Sequence, residues 1–138
     1  MKTYPLKITV SVFLLTLLFY SCSGSVSPDY RTYESLLKNQ MQTMRNVLNG
    51  AHYNQFVSQY VDPSYVSKVG GVDKVLLQFG SRQQTQMYNS LSVARNISPL
   101  YNDSKKEMTY VSEALVNPLV FKLINGKWYL LGDWFKYQ

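Results

Sequence analysis

A chain of 138 residues has room for a single domain, and its one cysteine excludes an intramolecular disulfide. One histidine beside one cysteine leaves no metal-ligand grouping, so neither a metal nor another cofactor is expected. The formal charge of +6 is scattered, with no basic run longer than Lys105-Lys106, which argues against nucleic acid as a partner.

Residues 1–21 have the layout of an export signal peptide. Lys2 and Lys7 form a positive start, and residues 8–20 are apolar and uncharged. That stretch is too short to cross a bilayer, which takes about 20 apolar residues. Leu17-Leu18-Phe19-Tyr20-Ser21-Cys22 resembles a lipobox, at which bacterial lipoproteins are diacylated on the cysteine and cut just before it. Ser21 meets the small-residue requirement, while Phe19 and Tyr20 are bulkier than the usual pair. Cys22 is therefore the expected lipidation site, and residues 22–29 the lipidated cysteine and its linker. The seven linker residues after Cys22 reach at most ~23 Å, at ~3.3 Å each, so the domain is expected close to its membrane. Ser23 is not the Asp that signals inner-membrane retention, and the linker has no acidic run for surface display. The expected address is the cell envelope, at the outer membrane and facing the periplasm. Without Lys2 and Lys7 the charge is +4.

One domain is expected over residues 30–138. Ser27-Pro28-Asp29 suits a helix start, with a capping hydroxyl, Pro at the first helical position and an acid near the positive end of the helix dipole. Tyr33, Leu37, Met41, Met44 and Leu48 recur at helical spacing, and Asn49-Gly50 supplies a stop. A second helix is predicted over residues 51–61, with Tyr53, Phe56, Val57 and Tyr60 on one side, broken by Asp62-Pro63. After Gly70-Gly71 a third begins near Val72, with Val75, Leu76 and Phe79 inward; an extension past Gly80 to about Asn89 stays open. The period then changes. Residues 91–97, 107–115, 119–124 and 127–135 read as strands rich in Val, Ile, Tyr, Phe and Trp. Asn102-Asp103 and Asn117-Pro118 are turn signals. Asn125-Gly126 is the strongest, because a type I′ hairpin needs positive φ at both central residues. Gly132 within the last strand predicts a bulge. Phe121, Leu123, Trp128 and Leu130 are expected to face the helices. Helices followed by an antiparallel meander make the fold class α+β.

The closing run Phe121-Lys122-Leu123-Ile124-Asn125-Gly126-Lys127-Trp128-Tyr129-Leu130 resembles the nuclear transport factor 2-like superfamily. So do Gly50-Ala51-His52-Tyr53-Asn54-Gln55-Phe56 and the Gly70-Gly71 ahead of a helix, and the resemblance spans about residues 29–138. It implies N-terminal helices packed against a curved antiparallel sheet, cone-shaped and holding a cavity. Function does not follow, since the superfamily includes isomerases, dehydratases, ligand binders and scaffolds.

Its enzymes commonly place an Asp, His or Tyr in the cone for proton transfer, which makes His52 and Asp133 the residues to weigh. His52 has no carboxylate adjacent in sequence to position it as a base. Asp133 becomes a useful acid or base only if it faces the cavity among apolar neighbours; otherwise it is an exposed strand-end carboxylate. Glu113 shares its period-2 face with Val111 and Leu115. No Ser/His/Asp or Cys/His set can be assembled, and Gly70-Gly71 lacks the strand and the Lys-Ser/Thr of a phosphate loop.

The aromatic surplus remains. Tyr53, Phe56, Tyr110, Phe121, Trp128 and Tyr129 either line an apolar ligand cavity or fill the core. The expectation is a membrane-anchored, non-catalytic binding or interaction module for a small apolar ligand or a partner protein. Two alternatives stand beside it: an isomerase- or dehydratase-like enzyme using Asp133 or His52, and a structural subunit of the envelope that pairs with a second copy.

Overall fold

The computed structural model describes residues 30–136. The expected signal peptide, Cys22, the expected linker and the helix start expected at Ser27-Pro28-Asp29 lie outside the described residues. The fold is α+β: five helices precede a four-stranded antiparallel sheet in the order β1-β2-β3-β4, neither closed nor strongly curled.

Helix α1 (Tyr30–Asn49) buries Leu37, Met41, Met44, Val47 and Leu48, one apolar stripe at helical spacing. Its amide Gln40 Nε2 donates to the Trp128 carbonyl at 2.7 Å, and the Tyr33 ring meets Trp128 edge-on at 5.8 Å, which docks the helix on the sheet. The helix ends as the Asn49-Gly50 signal implies, but the left-handed residue is Ala51, at φ 57°. The Ala51 amide donates to Leu48 and the His52 amide to Val47, the two bonds of a Schellman turn.

Helix α2 (Tyr53–Tyr60) buries Phe56, Val57 and Tyr60. Asp62-Pro63 ends it, as expected, and also starts an unexpected helix, α3 (Pro63–Val69). The Asp62 carboxylate accepts from the Ser64 amide at 3.0 Å, and Pro63 occupies the first turn. Just before it, Val61 bridges Leu130 in parallel and the Asp62 amide donates to the Leu130 carbonyl. Gly70, at φ 107°, closes α3 and leads into α4 (Val72–Leu77).

The open extension past Gly80 resolves into two helices. After Gln78, which caps α4, Phe79 and Gly80 leave the helix, Gly80 being extended, and a new helix α5 runs Ser81–Ala94. The break drops Phe79 into the core, stacked on Phe56 at 5.6 Å and edge-on to Phe135 at 5.6 Å. Helix α5 also corrects the strand read over residues 91–97. Met87, Leu91 and Ala94 continue one buried helical stripe through the segment that Val93 and Ile97 made strand-like.

The sheet comprises β1 (Leu100–Asn102), β2 (Glu107–Tyr110), β3 (Leu119–Ile124) and β4 (Lys127–Leu130). Met108, Tyr110, Leu119, Phe121, Trp128 and Leu130 face the helices, with Leu123 partly buried on the same face opposite Trp128. Asn125 and Gly126 have φ of 50° and 78°, the positive pair that the β3–β4 hairpin requires. Two strands are shorter than expected. β2 stops at Tyr110, so Glu113 is an exposed loop residue and shares no strand face with Val111 and Leu115. β4 stops at Leu130, and Gly132 opens a 3₁₀ turn, Gly132–Phe135, instead of making a bulge. That turn buries Trp134 edge-on to Phe79 and Phe135 against α3, where the Tyr65 ring stacks on it at 5.8 Å.

Candidate functional site

Four of the six aromatics expected to line a cavity fill the core instead. Phe56, Tyr110 and Phe121 are 0% exposed and Trp128 3%. Tyr110 meets Phe121 edge-on at 6.2 Å, and Phe56 stacks on the equally buried Phe79. Tyr129 points to the other face of the sheet, half-buried, with Lys127 Nζ 5.3 Å from its ring centre. Tyr53, by contrast, lines a hollow.

The residues weighed for proton transfer are at the surface and on different elements. His52 is exposed at the α1–α2 turn. Asp133 borders shallow grooves beside Tyr65 and Trp134, but its carboxylate is open to solvent and ion-paired with Lys136, not enclosed by apolar neighbours. Among the described residues no group of three or more His, Cys, Asp or Glu side chains could hold a metal ion.

The hollow at Tyr53 follows from the way α1 and α5 pack. The two helices run antiparallel: Gln42 lies near Arg95, Arg45 near Tyr88, and Asn49 shares the hollow with Ser81. The Schellman turn then sends the chain back across the end of this pair, and Tyr53 closes the hollow, its ring edge-on to Phe79 at 6.1 Å. The space is about 400 Å³, lined by Leu48, Asn49, Tyr53, Ser81, Gln84, Thr85 and Tyr88. That is within the ~300–1,000 Å³ of small-molecule sites. Gln84 is fixed by donating to the Phe79 carbonyl at 2.7 Å, and Thr85 donates to the Ser81 carbonyl at 3.0 Å. The lining offers two phenol rings, amides and hydroxyls. Among the described residues its lining includes no carboxylate, imidazole, amine or thiol beside the two phenols.

One wall of the hollow, Tyr88, leads to a feature that the sequence pattern did not bring out. Arg45 Nη2 donates to the Tyr88 hydroxyl at 3.0 Å, and its guanidinium carbon lies 4.7 Å from the ring centre. Arg45 Nη1 donates to Gln42 Oε1 at 3.2 Å, and Arg95 Nη1 donates to the same oxygen. Two cations thus share one neutral acceptor. Like charges brought to one acceptor repel each other, less where water screens them. The Nε of each arginine is buried with no hydrogen-bond partner among the described residues. The signal was in the helical phase: Gln42, Arg45 and Asn49 on α1, and Ser81, Thr85, Tyr88 and Arg95 on α5 and its cap. Reading residues 91–97 as a strand took Arg95 out of that phase.

In comparisons with known proteins, no family model, no curated protein and no solved structure matches the chain.

Proposed function

We propose that the chain is a membrane-tethered envelope lipoprotein whose domain is a non-catalytic binding module, taking a small ring-bearing ligand in the α1–α2–α5 hollow. The observation that carries this reading is the hollow itself: ligand-sized, and walled by Tyr53 and Tyr88 among amide and hydroxyl side chains. The tether rests on the export-signal layout and on Cys22 at its end. No helix among the described residues is long and apolar enough to cross a membrane. Affinity with the nuclear transport factor 2-like superfamily is part of the proposal. It is supported by helices preceding an antiparallel meander and by the Asn125-Gly126 hairpin; because the sheet is neither closed nor strongly curled, the binding reading places the ligand in the hollow between helices and not inside a cone.

The test uses the full chain expressed in a bacterial host and purified in neutral detergent. Mass spectrometry should find acyl chains that Cys22→Ser abolishes; an unacylated wild type would sink the tether. Phenol, as a neutral aromatic probe, should shift the amide resonances of Tyr53, Gln84 and Thr85. Thr85→Trp, which fills the hollow from an exposed position on α5, should remove those shifts. No response to phenol in the wild type would sink the binding reading.

A further inference from the structure

We infer that the Arg45–Arg95 pair is a subsite for an oxyanion, a phosphate or carboxylate group carried by the molecule whose body lies in the hollow. The inference deepens the binding-module reading and rests on it for the neutral part of the ligand. Three observations on the α1–α5 seam carry it. First, both guanidiniums are half-buried, and among the described residues neither has a carboxylate partner: the paired acids there are Glu34, Asp103 and Asp133, each with a lysine. Second, they converge on a single amide oxygen, Gln42 Oε1, which cannot neutralise either of them. A tetrahedral or planar oxyanion would complement both charges, and its oxygens match the planar fork of guanidinium donors. Third, the pair adjoins the hollow through Tyr88, whose hydroxyl accepts from Arg45 and whose side chain lines the hollow. An apolar ring against Tyr53 and Tyr88 would therefore place an attached anion toward the arginines.

Scattered lysines give a basic surface no such preference. Lys105 and Lys106, for example, lie in the exposed β1–β2 turn, where Lys106 is already paired with Asp103.

The experiment titrates inorganic phosphate into the full chain in neutral detergent, at constant ionic strength set with chloride, and follows the arginine Nε–H resonances by NMR. Phosphate should move the Arg45 and Arg95 signals with a saturating curve. Arg45→Gln and Arg95→Gln should each weaken binding at least tenfold, while a Lys105→Gln/Lys106→Gln double variant binds like the wild type. The wild-type shifts serve as the readout should a Gln variant misfold, and Arg95→Lys gives a milder second variant. Phenyl phosphate should bind about tenfold more tightly than phosphate, and Thr85→Trp should erase that gain. Adding phosphatidylglycerol to the micelles separates two sources of the anion: competition names a lipid headgroup, and its absence a soluble phosphate. Arginine signals that ignore phosphate, or shift equally in the lysine double variant and both arginine variants, overturn the subsite. A phenol response without a phosphate response removes this inference and leaves the binding module. Phosphate binding with no gain from the phenyl ring keeps the anion site and removes the hollow.

Discussion

At Gly132 the missing side chain is what lets the Tyr65 ring lie against the chain. A methyl group there would be 2.1 Å from two carbons of that ring, far inside contact distance. The ring has little freedom to yield, because it stacks on Phe135 and its hydroxyl donates to Gln78 Oε1 at 2.9 Å. Gly132→Ala should therefore destabilise the fold by about 1–3 kcal/mol through overpacking. Gly50 makes the internal comparison. A methyl there would lie 2.8 Å from the His52 ring, but that ring is exposed and can swing away. Urea unfolding of both variants separates the two cases: Gly132→Ala should be clearly the more damaging, and equal losses would show that the Tyr65 contact is not the cause. The sequence marked both glycines as punctuation, at a helix stop and at a strand irregularity. It could not show that the constraint at Gly132 comes from a tyrosine 67 positions earlier.

Among the elements, those specified by short-range rules were legible and those decided by packing were not. The Asn125-Gly126 hairpin needs two positive φ values, a local demand with few chemical solutions, and it stands where the residues put it. The α1 stripe is long enough for its period to be unambiguous. Residues 91–97 are too short for that: the β-branched Val93 and Ile97 argue for a strand, while Met87, Leu91 and Ala94 bury a helical face, and burial wins. The same misreading hid Arg95 and with it half of the arginine pair. The helix α3 was legible in principle, because Asp-Pro acts in both directions: it ends α2 and caps α3. That cap gives a prediction at this scale. Asp62→Ala removes the acceptor for the Ser64 amide and should cost about 0.5–2 kcal/mol, with faster amide exchange across α3. The Asp62 amide that donates to Leu130 is untouched by the substitution, so protection there should persist at mild temperature. Simultaneous loss of both would mean that α3 and the β4 edge open as one unit.

Across the whole molecule the aromatic richness that first suggested a ligand cavity instead builds a closed core, and it carries a polar liability. The Tyr110 hydroxyl is enclosed with no hydrogen-bond partner among the described residues. Burial, and to a smaller extent the nearby Glu34 carboxylate, push its pKa well above the ordinary tyrosine value of 10.0. Tyr65 and Tyr101 are raised as well, mainly by partial desolvation. The folded state therefore favours the protonated phenol, so this stability is fully present below the ordinary value and is lost as the pH climbs above it toward the raised one. On the acid side, the Lys106 and Tyr101 hydrogen bonds lower the Asp103 pKa, but that carboxylate is fully exposed and its contribution is screened by solvent. The domain should accordingly lose stability steeply above about pH 10, where unfolded tyrosines ionise. Tyr110→Phe separates the causes. It keeps the ring contact with Phe121 and removes the unpartnered hydroxyl, so at pH 7 the variant should be about 1 kcal/mol more stable than the wild type. Because it also removes the most strongly shifted phenol, its unfolding midpoint should decline less between pH 9 and about pH 11. Thermal melts of both proteins across that range decide the matter. Parallel curves would assign the alkaline loss to the outer tyrosines, and a less stable Tyr110→Phe at neutral pH would mean that the hydroxyl has a partner, such as a bound water, worth more than its burial costs.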